Sequence, residues 1–273
     1  MALPLTFFLF KRAYVKRFAK ISCLHRRYIY HYWDEWKVYF ESKGYKCIAP
    51  AWPHKEASPE ELRNTRPNDA IASNRLADLT DHFASIVLEI PEKPILIGHS
   101  LGGLIVQLLL QRGLGTAGVA LHAFPPKGVT GSTFSLVKKL WEARGLFTST
   151  QETYMIPFRK WKQAFANGMS CEEQKALFYK YAIPESKRVI RDAFKSTAKI
   201  DFEKPHAPLL LTSGINDQMI PASLNYNNYL HYTLSITDYK EFKNSNHLVF
   251  DHPLEEAEYV FHWLQEIQEF YQH

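Results

Sequence analysis

The sequence predicts an α/β fold, a mostly parallel sheet flanked by helices, and three observations lead to it. Short apolar runs recur at residues 94–97, 117–122 and 208–211 without polar alternation, the pattern of strands covered on both faces. Helix-period segments separate or follow them, and the last, from about Pro253, places Ala257, Val260, Phe261 and Leu264 inward. Three residues able to act on a substrate, Ser100, Asp217 and His247, each stand just past a predicted strand, where open α/β sheets assemble their sites.

Taken in order, the N-terminal segment is apolar over residues 1–10 and then basic. A secretory leader has its charges ahead of the apolar stretch, so this polarity is wrong for one. The segment reads as a strand or helix packed on the domain with its lysines and arginines solvated; a basic arm lying on a membrane is the other reading. The loop at residues 51–58 holds Trp52 and His54 beside Pro53, a turn by its proline chemistry and also a rim from which both could reach a substrate.

The strand at 94–97 runs into Gly98-His99-Ser100-Leu101-Gly102-Gly103. A serine held at a sharp strand-to-helix turn takes a strained backbone, and small flanking residues relieve the crowding there. Leu104, Ile105, Leu108 and Leu109 then recur at helical spacing until Gly113 ends the helix. A serine hydroxyl needs a base in reach and a carboxylate to orient that base. Asp217, in the loop after the strand at 208–214, and His247, after the strand at 236–242, supply those residue types. Asp217 also reads as a turn aspartate ahead of Pro221. His252, next to Pro253, reads as a helix-entry residue instead.

The chain order nucleophile, acid, histidine, each after its own strand, resembles the α/β-hydrolase family over about residues 33–264. The resemblance implies a core of residues 1–123 and 205–273, with 1–32 as an atypical basic segment. It also implies a helical cap at 124–204, inserted after the sixth strand of that fold. It makes Ser100, Asp217 and His247 catalytic and makes the Leu101 N–H one donor of the oxyanion hole. The second donor follows a His-Gly pair in such proteins; here the stretch is His25-Arg26-Arg27, with Arg26 in the glycine's place, so Arg27 N–H is the corresponding donor and the loop is altered. His99 and Phe124 join Trp52 as candidate substrate contacts. The cap carries Trp141, Trp161, Phe165, Phe178 and Phe194. Aromatics at helical spacing make a small core, while a cap over the sheet also turns some rings toward the nucleophile.

Charge and composition exclude other classes. The chain carries +5 overall, but residues 1–33 hold seven basic residues and no acid, which leaves −2 for the rest. A general polyanion-binding surface, and with it a nucleic-acid partner, is not expected. No apolar run approaches the roughly 20 residues needed to span a bilayer, so stable membrane insertion is not expected either. Three cysteines, Cys23, Cys47 and Cys171, give neither a disulfide framework nor a zinc site. No metal or organic cofactor is called for, and the sparse cysteines lean toward a cytoplasmic location. The expected activity is hydrolysis of small or apolar carboxylic esters through an acyl-enzyme. The alternatives are perhydrolysis, C–C hydrolysis or lyase chemistry on the same residues, or a weakened protein that binds such ligands.

Overall fold

The computed structural model describes residues 7–12, 33–65, 68–129, 149–248 and 253–270. Six strands make the main sheet in the order β2-β1-β3-β4-β7-β8: β1 (Phe7–Arg12), β2 (Tyr45–Ile48), β3 (Ile95–His99), β4 (Ala117–Leu121), β7 (Leu209–Gly214) and β8 (Thr237–Phe242). From β3 to β8 the pairing is parallel, with Ile95 opposite Ala117, Leu121 opposite Thr212 and Gly214 opposite Phe242. β3, β4 and β7 are buried at every position, in keeping with sequences that open on apolar runs rather than alternating. β8 lies at the sheet edge and is only partly buried.

One strand runs the other way. β1 is antiparallel to both neighbours, with Phe7 opposite Gly98 and Arg12 opposite Tyr45, so the sheet is mostly rather than wholly parallel. The sequence allows a strand in the N-terminal segment, and the structure has one at Phe7–Arg12; residues 13–32, with the His25-Arg26-Arg27 stretch, lie outside the described residues.

Helices cover the sheet. α1 (Asp34–Ser42) packs on the C-terminal helix α10 (Pro253–Phe270), and α4 (Leu76–Glu89) packs on α5 (Leu101–Gln111), which lies against β3 and β4. α5 is buried from Leu101 to Leu110, and each fully buried leucine there is worth about 1.5–3 kcal/mol. It stops where Gly113 turns to φ +73°, as its glycine predicts. On α10, Ala257, Val260 and Leu264 are buried as expected, whereas Phe261 is only half-buried, its ring edge-on to Tyr39 and Tyr45. α2 (Pro59–Asn64) and α3 (Asp69–Ser73) precede α4, and α9 (Ala222–Leu230) lies against β7 and β8. No helix among the described residues is long and apolar enough to cross a membrane.

Between β4 and β7 the chain forms α6 (Phe158–Ala164), α7 (Cys171–Tyr181) and α8 (Lys187–Asp192). A capping box of Ser170 and Glu173 starts α7, satisfying two amides that the first turn leaves without partners. The all-helical expectation misses a two-stranded antiparallel sheet here, β5 (Thr153–Tyr154) with β6 (Glu185–Ser186); strands of two residues carry no periodicity to read. The stretch leaves the sheet after β4, the fourth strand among the described residues. Trp141 is outside those residues, while Trp161 packs on both Phe165 and Phe178, with ring centroids 5.9 and 5.4 Å away.

Polar contacts fix this stretch to the segment between β2 and α4. Lys55 and Glu185, both 1% exposed, form a buried ion pair, with the Lys55 ammonium 4.8 Å above the Trp52 ring. Arg75 grips Asp192 through two hydrogen bonds of 3.0 Å, and Ser186 donates toward the carbonyls of Ala72 and Asn74.

Candidate active site

β3 ends at His99 and α5 begins at Leu101, so a single residue makes the turn. Ser100 takes φ +56°, a left-handed conformation that a residue with a Cβ holds only when its surroundings over-determine it. Here Ser100 N–H donates to Leu121 O at 2.9 Å, and Ser100 O accepts from the N–H of Gly103 at 3.0 Å and of Phe124 at 2.9 Å. Space enforces the glycines: a Cβ on Gly98 would lie 2.2 Å from Gly102 O, and one on Gly103 would lie 2.7 Å from the Ala123 Cβ. Leu101 N–H, the first amide of α5, has no acceptor within its own helix and faces the side where negative charge is stabilised.

His247 lies in the loop after β8 and is fully buried. Its Nε2 is 3.1 Å from Ser100 Oγ, and its Nδ1 is 2.7 Å from Asp217 Oδ2. An ionised carboxylate only accepts, so Nδ1 carries the proton and Nε2 presents its lone pair to the hydroxyl. The two sequence readings of Asp217 hold on different oxygens: Oδ1 caps the turn, accepting from the N–H groups of Met219 and Ile220 at 2.8 Å each, and Oδ2 takes the imidazole. Burial opposes the Asp217 charge, but the His247 and His122 rings outweigh it and hold the carboxyl well below its usual range.

The other candidates fall elsewhere. His99 is fully buried, its Nε2 2.8 Å from the backbone carbonyl of His247, so it braces the His247 loop from within the protein instead of facing substrate. Burial, then the neighbouring His247 and His122, push His99 well below its ordinary value, which leaves a neutral ring donating to that carbonyl. Trp52 is 2% exposed, edge-on to Phe83 and capped by Lys55; its flat apolar ring is part of the core. Phe124 fixes the elbow through its backbone while its ring meets Phe194 at 5.3 Å. His25, Arg26 and Arg27 lie outside the described residues.

The sequence reading counts Phe165 among the cap aromatics without singling it out, and it assigns no role to His122 or Glu256, yet all three lie against the site. Phe165 puts its ring 5.2 Å from the His247 imidazole. His122, just past β4 at φ +44°, sets Nδ1 3.4 Å from Asp217 Oδ2 and Nε2 3.2 Å from Glu256 Oε1. Glu256 on α10 also accepts from Ser245 Oγ at 2.7 Å. Burial disfavours charge on His122, but Glu256 and Asp217 more than offset it and push the imidazole up to about 9. A histidine placed after a strand, like Ser100, Asp217 and His247, is the signal that could have found His122. His122, Asp217 and His247 offer donor atoms within 4.8 Å of one another. Metal ligands must be deprotonated, and a His122 held as a cation, with His247 turned to Ser100, does not fit that use.

The comparisons bear on the fold. The sequence pattern described as "Alpha/beta hydrolase family" matches residues 24–258. Among solved structures, a monoacylglycerol lipase of Paleococcus ferrophilus is similar, with 18% identity and a TM-score of 0.61, over 86% of this chain and 89% of that one. So is polyneuridine aldehyde esterase, with 18% identity and a TM-score of 0.60, over 84% and 92%. A variant of tomato methylketone synthase I shares 14% identity with a TM-score of 0.62, over 86% and 92%. None of the curated proteins matches. With the family pattern spanning most of the chain and Ser100, Asp217 and His247 meeting beyond the ends of their strands, this protein belongs to the alpha/beta hydrolase family.

Proposed function

We propose that this protein is a serine hydrolase that cleaves carboxylic esters of small or apolar acyl groups. One observation carries the reading: the unbroken relay from Ser100 Oγ through His247 to Asp217, at 3.1 and 2.7 Å. His247 Nε2 takes the hydroxyl proton as Oγ attacks the ester carbonyl, and Asp217 stabilises the imidazolium. The oxyanion is held by Leu101 N–H and, in this proposal, by the amide of Arg27; such a donor is worth on the order of 10²- to 10³-fold in turnover. His247 then protonates the leaving alkoxide, which departs as the alcohol. Water, deprotonated by the same ring, attacks the acyl-enzyme and releases the acid. Residues 124–204 act as the cap over the core of 1–123 and 205–273, and the Phe165 ring beside His247 supports an apolar acyl site. The protein acts as a small-molecule enzyme in the cytoplasm, in keeping with the free thiols of Cys47 and Cys171.

A fluorophosphonate probe tests this: it is expected to label wild type and not Ser100→Ala, and labelling that persists in the alanine variant overturns the assignment. A labelled protein that ignores p-nitrophenyl esters of every chain length has its relay working in perhydrolysis, C–C cleavage or a lyase reaction. A second reading, a ligand-binding protein with weakened hydrolysis, draws on β1. Because β1 is antiparallel to β3, its C-terminal end lies on the side of the sheet away from Ser100. Apolar ligand binding with neither labelling nor turnover favours it.

A further inference from the structure

We propose that His122 is a positioning residue of the relay, its doubly protonated ring tying the Asp217 carboxylate to Glu256 and so fixing the acid that orients His247. The inference rests on the serine-hydrolase reading and extends it to a fourth, deeper member. Among the described residues, the titratable groups that face His122 are Asp217, Glu256, His99 and His247. Asp217 Oδ2 lies 3.4 Å from Nδ1, an ion-pair distance without hydrogen-bond alignment, and Glu256 Oε1 lies 3.2 Å from Nε2. Ser245 Oγ holds that same Glu256 oxygen at 2.7 Å. The rings of His99 and His247 stand 6.1 and 6.3 Å away. His122 is fully buried, and its backbone is pinned by donation to Thr212 O at 3.0 Å.

Stoichiometry of protons gives the cluster its meaning. A neutral imidazole has one N–H and can serve one carboxylate; both nitrogens must be protonated to serve two. Between two buried acids the charged form is the one that satisfies both, in line with a ring pushed up to about 9. With His122 charged, Asp217 Oδ2 faces cationic density opposite His247 and is kept ionised in the orientation the relay uses. Once His122 loses a proton, the two acids lose the cation between them, and among the described residues the Asp217 side chain keeps its two turn amides and His247. The strain of φ +44° at His122 accords with a side chain placed for function.

The test is the second-order rate of fluorophosphonate labelling across about pH 5 to 10, with thermal midpoints, for wild type, His122→Gln and Glu256→Gln. Wild type is expected to lose reactivity with a break near 9. His122→Gln is expected to lack that break and to react roughly tenfold more slowly below it, the rate equivalent of one ordinary hydrogen-bond constraint. Glu256→Gln keeps the ring but removes one of its anions, so the break moves down by about one pH unit. A residue that merely fills space alters the rate at all pH values and leaves the break in place. Superimposable wild-type and His122→Gln profiles overturn the inference, as does a Glu256→Gln break that has not moved. Should His122→Gln fail to fold, Glu256→Gln decides alone. Wild type that is not labelled at any pH overturns the serine-hydrolase reading, and this inference with it.

Discussion

Phe165 sets its ring 5.2 Å from the His247 imidazole at an interplanar angle of 60°, and both are buried. The stretch between β4 and β7 therefore reaches the proposed base. Phe165 also stacks on Trp161 at 5.9 Å, so the aromatic cluster is both a small core and a wall beside the proposed reacting groups.

Shortening that wall is expected to show in selectivity. Phe165→Leu leaves the site apolar but removes the edge-on ring, at a stability loss of about 1–2 kcal/mol. Turnover of p-nitrophenyl esters is expected to fall more for acyl chains that touch the ring than for acetate. Equal losses across the series would show that the ring only supports packing.

Asp217 divides its labour between two oxygens, and Asp217→Asn separates them. The amide oxygen still accepts the Met219 and Ile220 amides, so the turn is kept and the thermal midpoint is expected to fall only by what the lost carboxylate charge contributes, less than in Asp217→Ala. The amide nitrogen cannot accept the His247 proton and stabilises the wrong tautomer, so kcat is expected to drop by roughly 10⁴-fold. Asp217→Ala loses the turn as well and unfolds at a lower temperature.

The Lys55–Glu185 pair makes opposite predictions for single and double variants. Lys55→Met leaves a buried carboxylate uncompensated and is expected to destabilise by about 3–5 kcal/mol. Lys55→Met with Glu185→Leu removes both charges and is expected to lie near wild type. Denaturant midpoints read the difference, and a double variant as weak as the single would mean the pair is net stabilising.

Stability is expected to fall on both sides of neutrality. Asp217 is depressed when folded, so its contribution is full above the ordinary carboxylate range, near 3.9, and is lost as pH drops below it toward the folded value. His122 is raised, so its contribution is full below about 6.5 and is lost as pH rises from there through about 9. The alkaline loss is a few kcal/mol at most and is expected to vanish in His122→Gln. Thermal melts across the range check both limbs.

How much of this is legible depends on distance along the chain. Ser100 announces itself because its strand, glycines and helix are contiguous, and Asp217 and His247 stand out by position after later strands. His122 and Glu256 are 134 residues apart, and nothing local to either says that they meet. Phe165 is one aromatic among many, with no spacing to distinguish the ring that faces His247. His99 and Trp52 read as substrate contacts because they neighbour the elbow and the rim loop, but adjacency in sequence does not say which way a side chain points. The direction of β1 is equally hidden, since an apolar run reads the same in a parallel or an antiparallel neighbour.

That reversed strand also sets an order of events during synthesis. β1 is the first of the described strands to leave the ribosome, yet it occupies an interior position with both edges paired. One partner, β2, ends at Ile48, and the other, β3, is complete only at His99. At about 5–20 residues per second, β1 waits for seconds with an open edge before β3 arrives, and until then the β2 side of the sheet has nothing to join.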